Sequence, residues 1–165
     1  MKVIMRKSVI LLMTLLFFTF LTACGEDPVQ SDLLNYVNNE LSKLQKTESD
    51  ISNKINGVIG TNYKNDEITY ETLDKEIIPK YKKFLGQVEG VEPKTPEVKQ
   101  VHELYIDSVH QEYNALVQLM SAIENNDSNL TVESNEKINL SAKKSREFTS
   151  KLTELASKHG IEMTK

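Results

Sequence analysis

Seven apolar residues, Leu34, Val37, Leu41, Leu44, Ile51, Ile55 and Val58, recur at steps of 3, 4, 3, 7, 4 and 3. That spacing keeps them on one stripe of an α-helix, close to a heptad seam. The one seam position without an apolar side chain holds Glu48. A strand alternates its faces every second residue and cannot carry such a stripe. The stripe has to be covered by other helices. It predicts a helix over 31–59, with Ser31 or Asp32 as N-cap and Gly60 just past its end. The seam can close on its own bundle or on another copy of the chain.

Three further helices answer that demand. The polar loop Thr61 to Asn65 precedes a helix over 66–89, with Ile68, Leu73, Ile77, Tyr81, Phe84, Leu85 and Val88 inward. Pro79 lies inside it, where proline removes a hydrogen bond and strikes the carbonyl of Lys75, so a kink is expected. A break into two shorter helices is the alternative. Thr95-Pro96-Glu97 is a helix start: N-cap, proline at the first position, acid in the first turn. That helix runs to 125, with Val98, Val101, Tyr105, Leu116, Leu119 and Ile123 as its core face. A turn around Asn126 leads into a last helix over 128–158, with Leu130, Ile138, Ala142, Phe148, Leu152 and Leu155 inward and His159-Gly160 at its end. Short connections make neighbouring helices antiparallel, so the expected fold is all-α: a four-helix up-down-up-down bundle with long helices, the second kinked at Pro79. A three-helix bundle with one long bent helix is the runner-up.

The N-terminus is a different kind of segment. Lys2, Arg6 and Lys7 precede Ser8 to Phe20, SVILLMTLLFFTF, which is apolar apart from Ser8, Thr14 and Thr19. A basic stretch followed by a short apolar one is the layout of a secretory signal. The run is shorter than the roughly 20 residues a membrane span needs, and acidic residues and a proline follow it. Leu21, Thr22, Ala23 and Cys24 then resemble the bacterial lipobox: apolar, small, Gly or Ala, Cys. The resemblance implies that the Cys24 thiol receives diacylglycerol and that cleavage before it leaves a lipidated N-terminus. A buried, inert cysteine in an anchor helix is the alternative. Two acyl chains anchor stably where one does not. The implied organisation is a signal peptide over 1–23, a lipidated tether over 24–30, a bundle over 31–160 and a tail over 161–165. Six residues of tether, Gly25 to Gln30, span about 20 Å at full extension.

Charge narrows the partners. The signal holds three of the 20 basic residues and none of the 24 acidic ones, which leaves 17 against 24 in the mature chain, a net −7. Nucleic acid, bound through Lys and Arg on phosphates, is excluded on that balance. Anionic headgroups repel the domain, so the lipid is the membrane attachment. Lys143, Lys144, Arg146 and Lys151 interleave with Glu147 and Glu154 at helical spacing and read as a solvated, ion-paired face. Trp is absent, which lowers the expectation of a carbohydrate or quaternary-amine site.

Candidate chemistry is sparse. Di-iron bundles use Glu-x-x-His on two helices, whereas this chain has one Asp-x-x-His, Asp107 to His110. Glu103, Asp107 and His110 share a helical face, which reads as solvated rather than metal-binding. No nucleophile elbow, phosphate loop or heme motif occurs. No catalytic set, metal or cofactor is expected. His102, Tyr105 and Tyr113 either line a groove between helices or cap the core with hydroxyls in water.

The lipobox, the segments NDE, YETL and EIIPKY between Asn65 and Tyr81, and VHELYI from Val101 to Ile106 resemble small helical-bundle lipoproteins of low-GC Gram-positive bacteria. That resemblance implies no enzymatic activity. The expected role is a non-enzymatic interaction or accessory protein on the extracytoplasmic face of the cell membrane, whose long helical faces and grooves meet a protein partner; the alternative is a lipoprotein that binds a cell-wall polymer or small ligand.

Overall fold

A computed structural model describes residues 27–162. Four long helices make up nearly all of that stretch, and no strand occurs among the described residues. The first runs as α-helix over Pro28–Asn35, as a π-helical turn over Tyr36–Leu41, and as α-helix again over Ser42–Val58. Its N-cap is Asp27, not Ser31 or Asp32. The Asp27 carboxylate accepts from the Val29 and Gln30 amides at 2.9 and 3.2 Å, and Pro28 takes the first helical position. This is the same cap-then-proline logic that marks Thr95-Pro96. The helix therefore begins inside the segment assigned to the tether.

The π turn winds an extra residue and shifts the phase of the stripe. Downstream of it, Leu41, Leu44, Ile51 and Ile55 are buried as the seam requires. Upstream, Leu33 and Tyr36 fill the core and Leu34 is only half-buried. Ile59 ends the helix in extended backbone and Gly60 follows at φ 66°, the left-handed conformation expected of that position.

A second π turn governs the second helix, which runs over Asp66–Thr72, Leu73–Ile77 and Ile78–Glu89. Asn65 caps it, accepting from the Ile68 amide at 2.8 Å. The π turn, Leu73–Ile77, ends just ahead of Pro79. Its register pairs each carbonyl with the N–H five residues on, so Lys75 does not require the N–H that Pro79 lacks. In the turn before it the phase differs from the expected one. Ile68 is 39 % exposed, and Thr69 is buried in its stead, its hydroxyl donating to the Val58 carbonyl at 3.1 Å.

The third helix, Pro96–Asn125, has Thr95 at the N-cap position, but the Thr95 side chain does not cap it. Asp32 of the first helix instead holds the residues that lead into it: its Oδ2 accepts from the Lys94 amide at 2.9 Å, the Thr95 amide at 2.7 Å and the Thr95 hydroxyl at 2.8 Å. Asn126 at φ 56° turns the chain and Asp127 caps the fourth helix, Ser128–Lys158.

Specific contacts join each consecutive pair of helices. Val58 meets Thr69 and Asp50 pairs with Lys80. Tyr81 meets Glu112, and Val88 meets His102. Ser108 meets Ser141, and Ala115 meets Ser134. The core lies mainly among the first three helices, where Leu33, Leu73, Ile77, Val88, Val98 and Leu116 are fully buried. Each contributes about 1.5–3 kcal/mol relative to exposure.

The fourth helix joins in two ways. Its C-terminal half buries Phe148, Leu152 and Ala156. Its N-terminal half instead buries Ser134 and Ser141, while the expected Leu130, Ile138 and Ala142 are half-buried. The Ser141 hydroxyl donates to the Ser108 carbonyl at 2.9 Å, and Ser108 returns the bond to the Ser141 carbonyl at 3.1 Å. Small side chains let the two backbones approach, and the reciprocal bonds satisfy hydroxyls that burial would otherwise penalise. Beyond the helix, Ile161 folds back and is 6 % exposed, so the core extends into the expected tail.

Candidate functional site

Where the first three helices meet, the core is polar. Glu48 stands on the first helix at the vacant seam position and Glu112 on the third, each half-buried. The Tyr81 hydroxyl of the second helix donates to Glu112 at 3.1 Å. The buried Tyr105 hydroxyl lies close enough to Glu48 to favour its ionised form, yet makes no hydrogen bond of ordinary geometry. Burial among packed atoms pushes Glu48 up to about 7; the Tyr105 hydroxyl opposes the rise and the Glu112 charge adds to it. Burial likewise raises Glu112, against the Tyr81 hydroxyl. Tyr81 and Tyr105 are held far above the ordinary phenol range, first by burial and then by the carboxylates. No cation figures among the groups that act on either carboxyl.

Next to this cluster, His102 is 3 % exposed and bridges two helices. Its Nε2 lies 3.0 Å from the Val88 carbonyl and its Nδ1 3.0 Å from the Tyr36 hydroxyl. A carbonyl can only accept, so Nε2 carries the proton and Nδ1 accepts from Tyr36. Burial lowers the His102 pKa and keeps the ring neutral. Tyr105 stacks on Phe148 with centroids 5.1 Å apart, and Tyr113 leans on Tyr81 at 5.8 Å. These residues therefore line no groove, and the Tyr105 hydroxyl is not in water. They close the core, because the aromatic stripe of the third helix faces the other helices rather than a gap between them.

The carboxylate–imidazole face of the third helix is divided among partners. Asp107 pairs with Lys144 at 3.3 Å and His110 with Glu89 at 2.8 Å. Among the described residues no group of three or more His, Cys, Asp or Glu is placed to hold a metal. Lys151 pairs with Glu154 at 2.8 Å, which fits the ion-paired reading of the basic cluster.

The two ends of the bundle differ. Asp27, Asp32, Thr95 and His159 gather at one end. At the other, Asp66, Glu67, Tyr70 and Glu71 of the second helix face Ile123 and Glu124 of the third across an open cleft of about 280 Å³. Its floor is apolar. The stretches 57–72 and 120–134 that build this end hold six acids and one base, Lys64. Asp66 accepts from the Tyr63 hydroxyl and Glu71 pairs with Lys75, while Glu67 and Glu124 have no partner among the described residues. Tyr63 and Ile68 are exposed beside them.

The polar character of this part of the core was hidden in the sequence. Glu48 was visible as a gap in the seam, but nothing along the chain pointed to the Tyr81 hydroxyl donating to Glu112. Cys24 and the lipobox residues Leu21, Thr22 and Ala23 lie outside the described residues. The family comparison reaches them. The family of EMYY-motif containing lipoproteins matches residues 5–163. The chain belongs to that family. This lipoprotein is thus membrane-anchored through lipid, as the resemblance implied, although the letters EMYY do not occur consecutively in it. No curated protein and no solved structure matches the chain.

Proposed function

We propose that this lipoprotein is a non-enzymatic interaction protein. A diacylglyceryl Cys24 holds it on the outer face of the cytoplasmic membrane, and it meets a protein partner with the end of the bundle remote from the anchor. The proposed bundle runs up-down-up-down, with its second helix bent at Pro79. Because the first helix starts at Pro28, only residues 25–27 separate the lipid from the fold, about 10 Å at full extension. The helix from Pro28 to Val58 then carries the far end about 45 Å along the bundle. The observation that carries the reading is the acidic end itself: an apolar-floored cleft whose Glu67 and Glu124 have no ion-pair partner among the described residues. Single exposed apolar residues need no explanation, but Tyr63 and Ile68 beside such a cleft suit a contact surface. The polar groups of the core support the non-enzymatic part, since Tyr36 bonds to His102, His102 to the Val88 carbonyl and Tyr81 to Glu112, all within the fold rather than at an open site.

Two measurements test this. Metabolic labelling with a fatty acid should mark the wild type and not Cys24→Ala, and the variant should leave the membrane fraction. A photo-crosslinking residue at Glu124 should yield a discrete adduct in cells, and one at Glu97, near the anchored end, should not. Equal adducts at both positions, or none at either, would remove the assignment of the far end.

A further inference from the structure

We propose that His102 is an acid-sensitive catch: as a neutral ring it fastens the first three helices to one another, and a proton taken up on the ring opens that junction. The geometry carries this. A neutral imidazole has one donor and one acceptor, and here both are used. Nε2–H donates to the Val88 carbonyl of the second helix at 3.0 Å, and Nδ1 accepts from the Tyr36 hydroxyl of the first at 3.0 Å. The ring is 3 % exposed, and Tyr36, edge-on to it with centroids 5.4 Å apart, is 1 % exposed. A protonated ring is a donor at both nitrogens. Nδ1–H then faces the Tyr36 O–H, and one donor has to turn away inside a packed core, where an unmade bond is costly. Tyr36 also opens the π turn Tyr36–Leu41, so the mismatch falls where the first helix is already irregular.

Among the described residues no carboxylate bonds to the ring to offset a charge there. The first helix brings Tyr36 and, beyond it, Glu48, whose charge acts on Tyr36. The second brings the Val88 carbonyl, while Glu89 beside it pairs with His110. On the third, Tyr105 tilts toward the ring at 6.3 Å, and Glu103, exposed and one residue along, favours the proton. The fourth contributes Phe148, stacked on Tyr105. Burial outweighs the Val88 bond and Glu103, so the His102 pKa lies below its ordinary 6.5. The open chain therefore binds the proton more readily than the fold does. The catch holds fully above the ordinary value of 6.5 and weakens as pH falls below it. Opening rises by up to about 10-fold per pH unit until the folded ring itself titrates. Glu48, held up to about 7, responds in the opposite direction, and Asp27 lies below its ordinary 3.8. Loosening that sets in below 6.5 and well above 3.8 thus belongs to His102. Held on the outer membrane face, as proposed above, the catch meets the pH of the medium.

The test is amide exchange of the full lipidated protein in detergent, corrected for intrinsic rates. From about pH 7 to about pH 5 the wild type should lose about 10-fold or more of its protection at Tyr36 to Leu41 and at Val101 to Ile106. His102→Gln keeps one donor and one acceptor but has no titratable nitrogen, so its protection there should be flat over the same range. Nitrogen NMR of labelled histidine in the wild type gives a reading that needs no variant, and it decides alone should His102→Gln fold poorly. The His102 ring should carry its proton on Nε2 at about pH 7.5 and titrate below the ordinary 6.5. A ring charged at neutral pH, or protonated on Nδ1 in place of Nε2, overturns the proposal. So does wild-type protection that is unchanged or rises on acidification, or that falls equally in His102→Gln.

Discussion

At the end where the chain enters the bundle, residues far apart in sequence tie the helices together. Asp27 caps the first helix and meets His159 Nδ1 at 2.6 Å, Gln30 donates to the His159 carbonyl at 2.8 Å, and Asp32 of the first helix holds Lys94 and Thr95 just ahead of the third. At the opposite end the caps are local: Asn65 serves its own helix and Asp127 its own. The charges there, Glu67 and Glu124 among them, look outward. The comparison teaches that one charge type does two jobs. At the entry end, aspartates serve as fasteners between distant parts of the chain that satisfy backbone N–H groups. At the far end, Asp127 caps its own helix, while Glu67 and Glu124 are left to solvent and to whatever approaches.

Substitutions should expose that difference, in order of size. Asp32→Ala should cost about 2–3 kcal/mol, because two backbone amides and the Thr95 hydroxyl lose one charged acceptor. Asp32→Asn should cost less, and denaturant melts would show both. A loss no larger than that of a surface change would dissolve the contrast between the ends. Gly160→Ala should cost roughly 1 kcal/mol or more, since that residue sits at φ 70°. Gly57→Ala, near the far end, should instead gain up to about 0.5 kcal/mol, because Gly57 lies in the last turn of its helix and a Cβ there meets nothing within 4 Å. Glu67→Lys should shift stability by no more than about 0.5 kcal/mol while removing the proposed crosslink at the far end.

Acid offers a further contrast. The His159 side chain holds the Asp27 carboxyl below its ordinary range, helped by the Gln30 and Val29 amides. A carboxylate lowered in the fold favours folding above its unfolded pKa and loses that contribution as pH falls through the folded one. The first turn of the first helix should therefore fray on acidification, seen as loss of amide protection at Val29 and Gln30. Glu48 responds oppositely, since burial raises it in the fold and protonation relieves it. Amide exchange across pH should separate the two responses.

Much of the fold was legible along the chain. Four helices, the loop before Asp66, the start at Thr95 and the turn at Asn126 stand as expected, because caps, proline and glycine act within a few residues of themselves. The phase of the stripes was less legible. Both π turns shift it, and a single inserted residue leaves no mark in a periodic pattern. Ser134 and Ser141 were passed over because serine reads as surface until a facing carbonyl is known to be there.

By itself the sequence determined the acidic balance, the helical class and the resemblance to lipoproteins, all properties of neighbours in the chain or of sums over it. Only the tertiary structure decided that Asp32 binds Thr95, 63 residues away, just ahead of the third helix, that His102 and Tyr105 are buried in the core instead of opening a groove, and that Tyr81 reaches Glu112. Those outcomes depend on which faces meet across space, and a side chain's environment is set by what packs against it rather than by what precedes it.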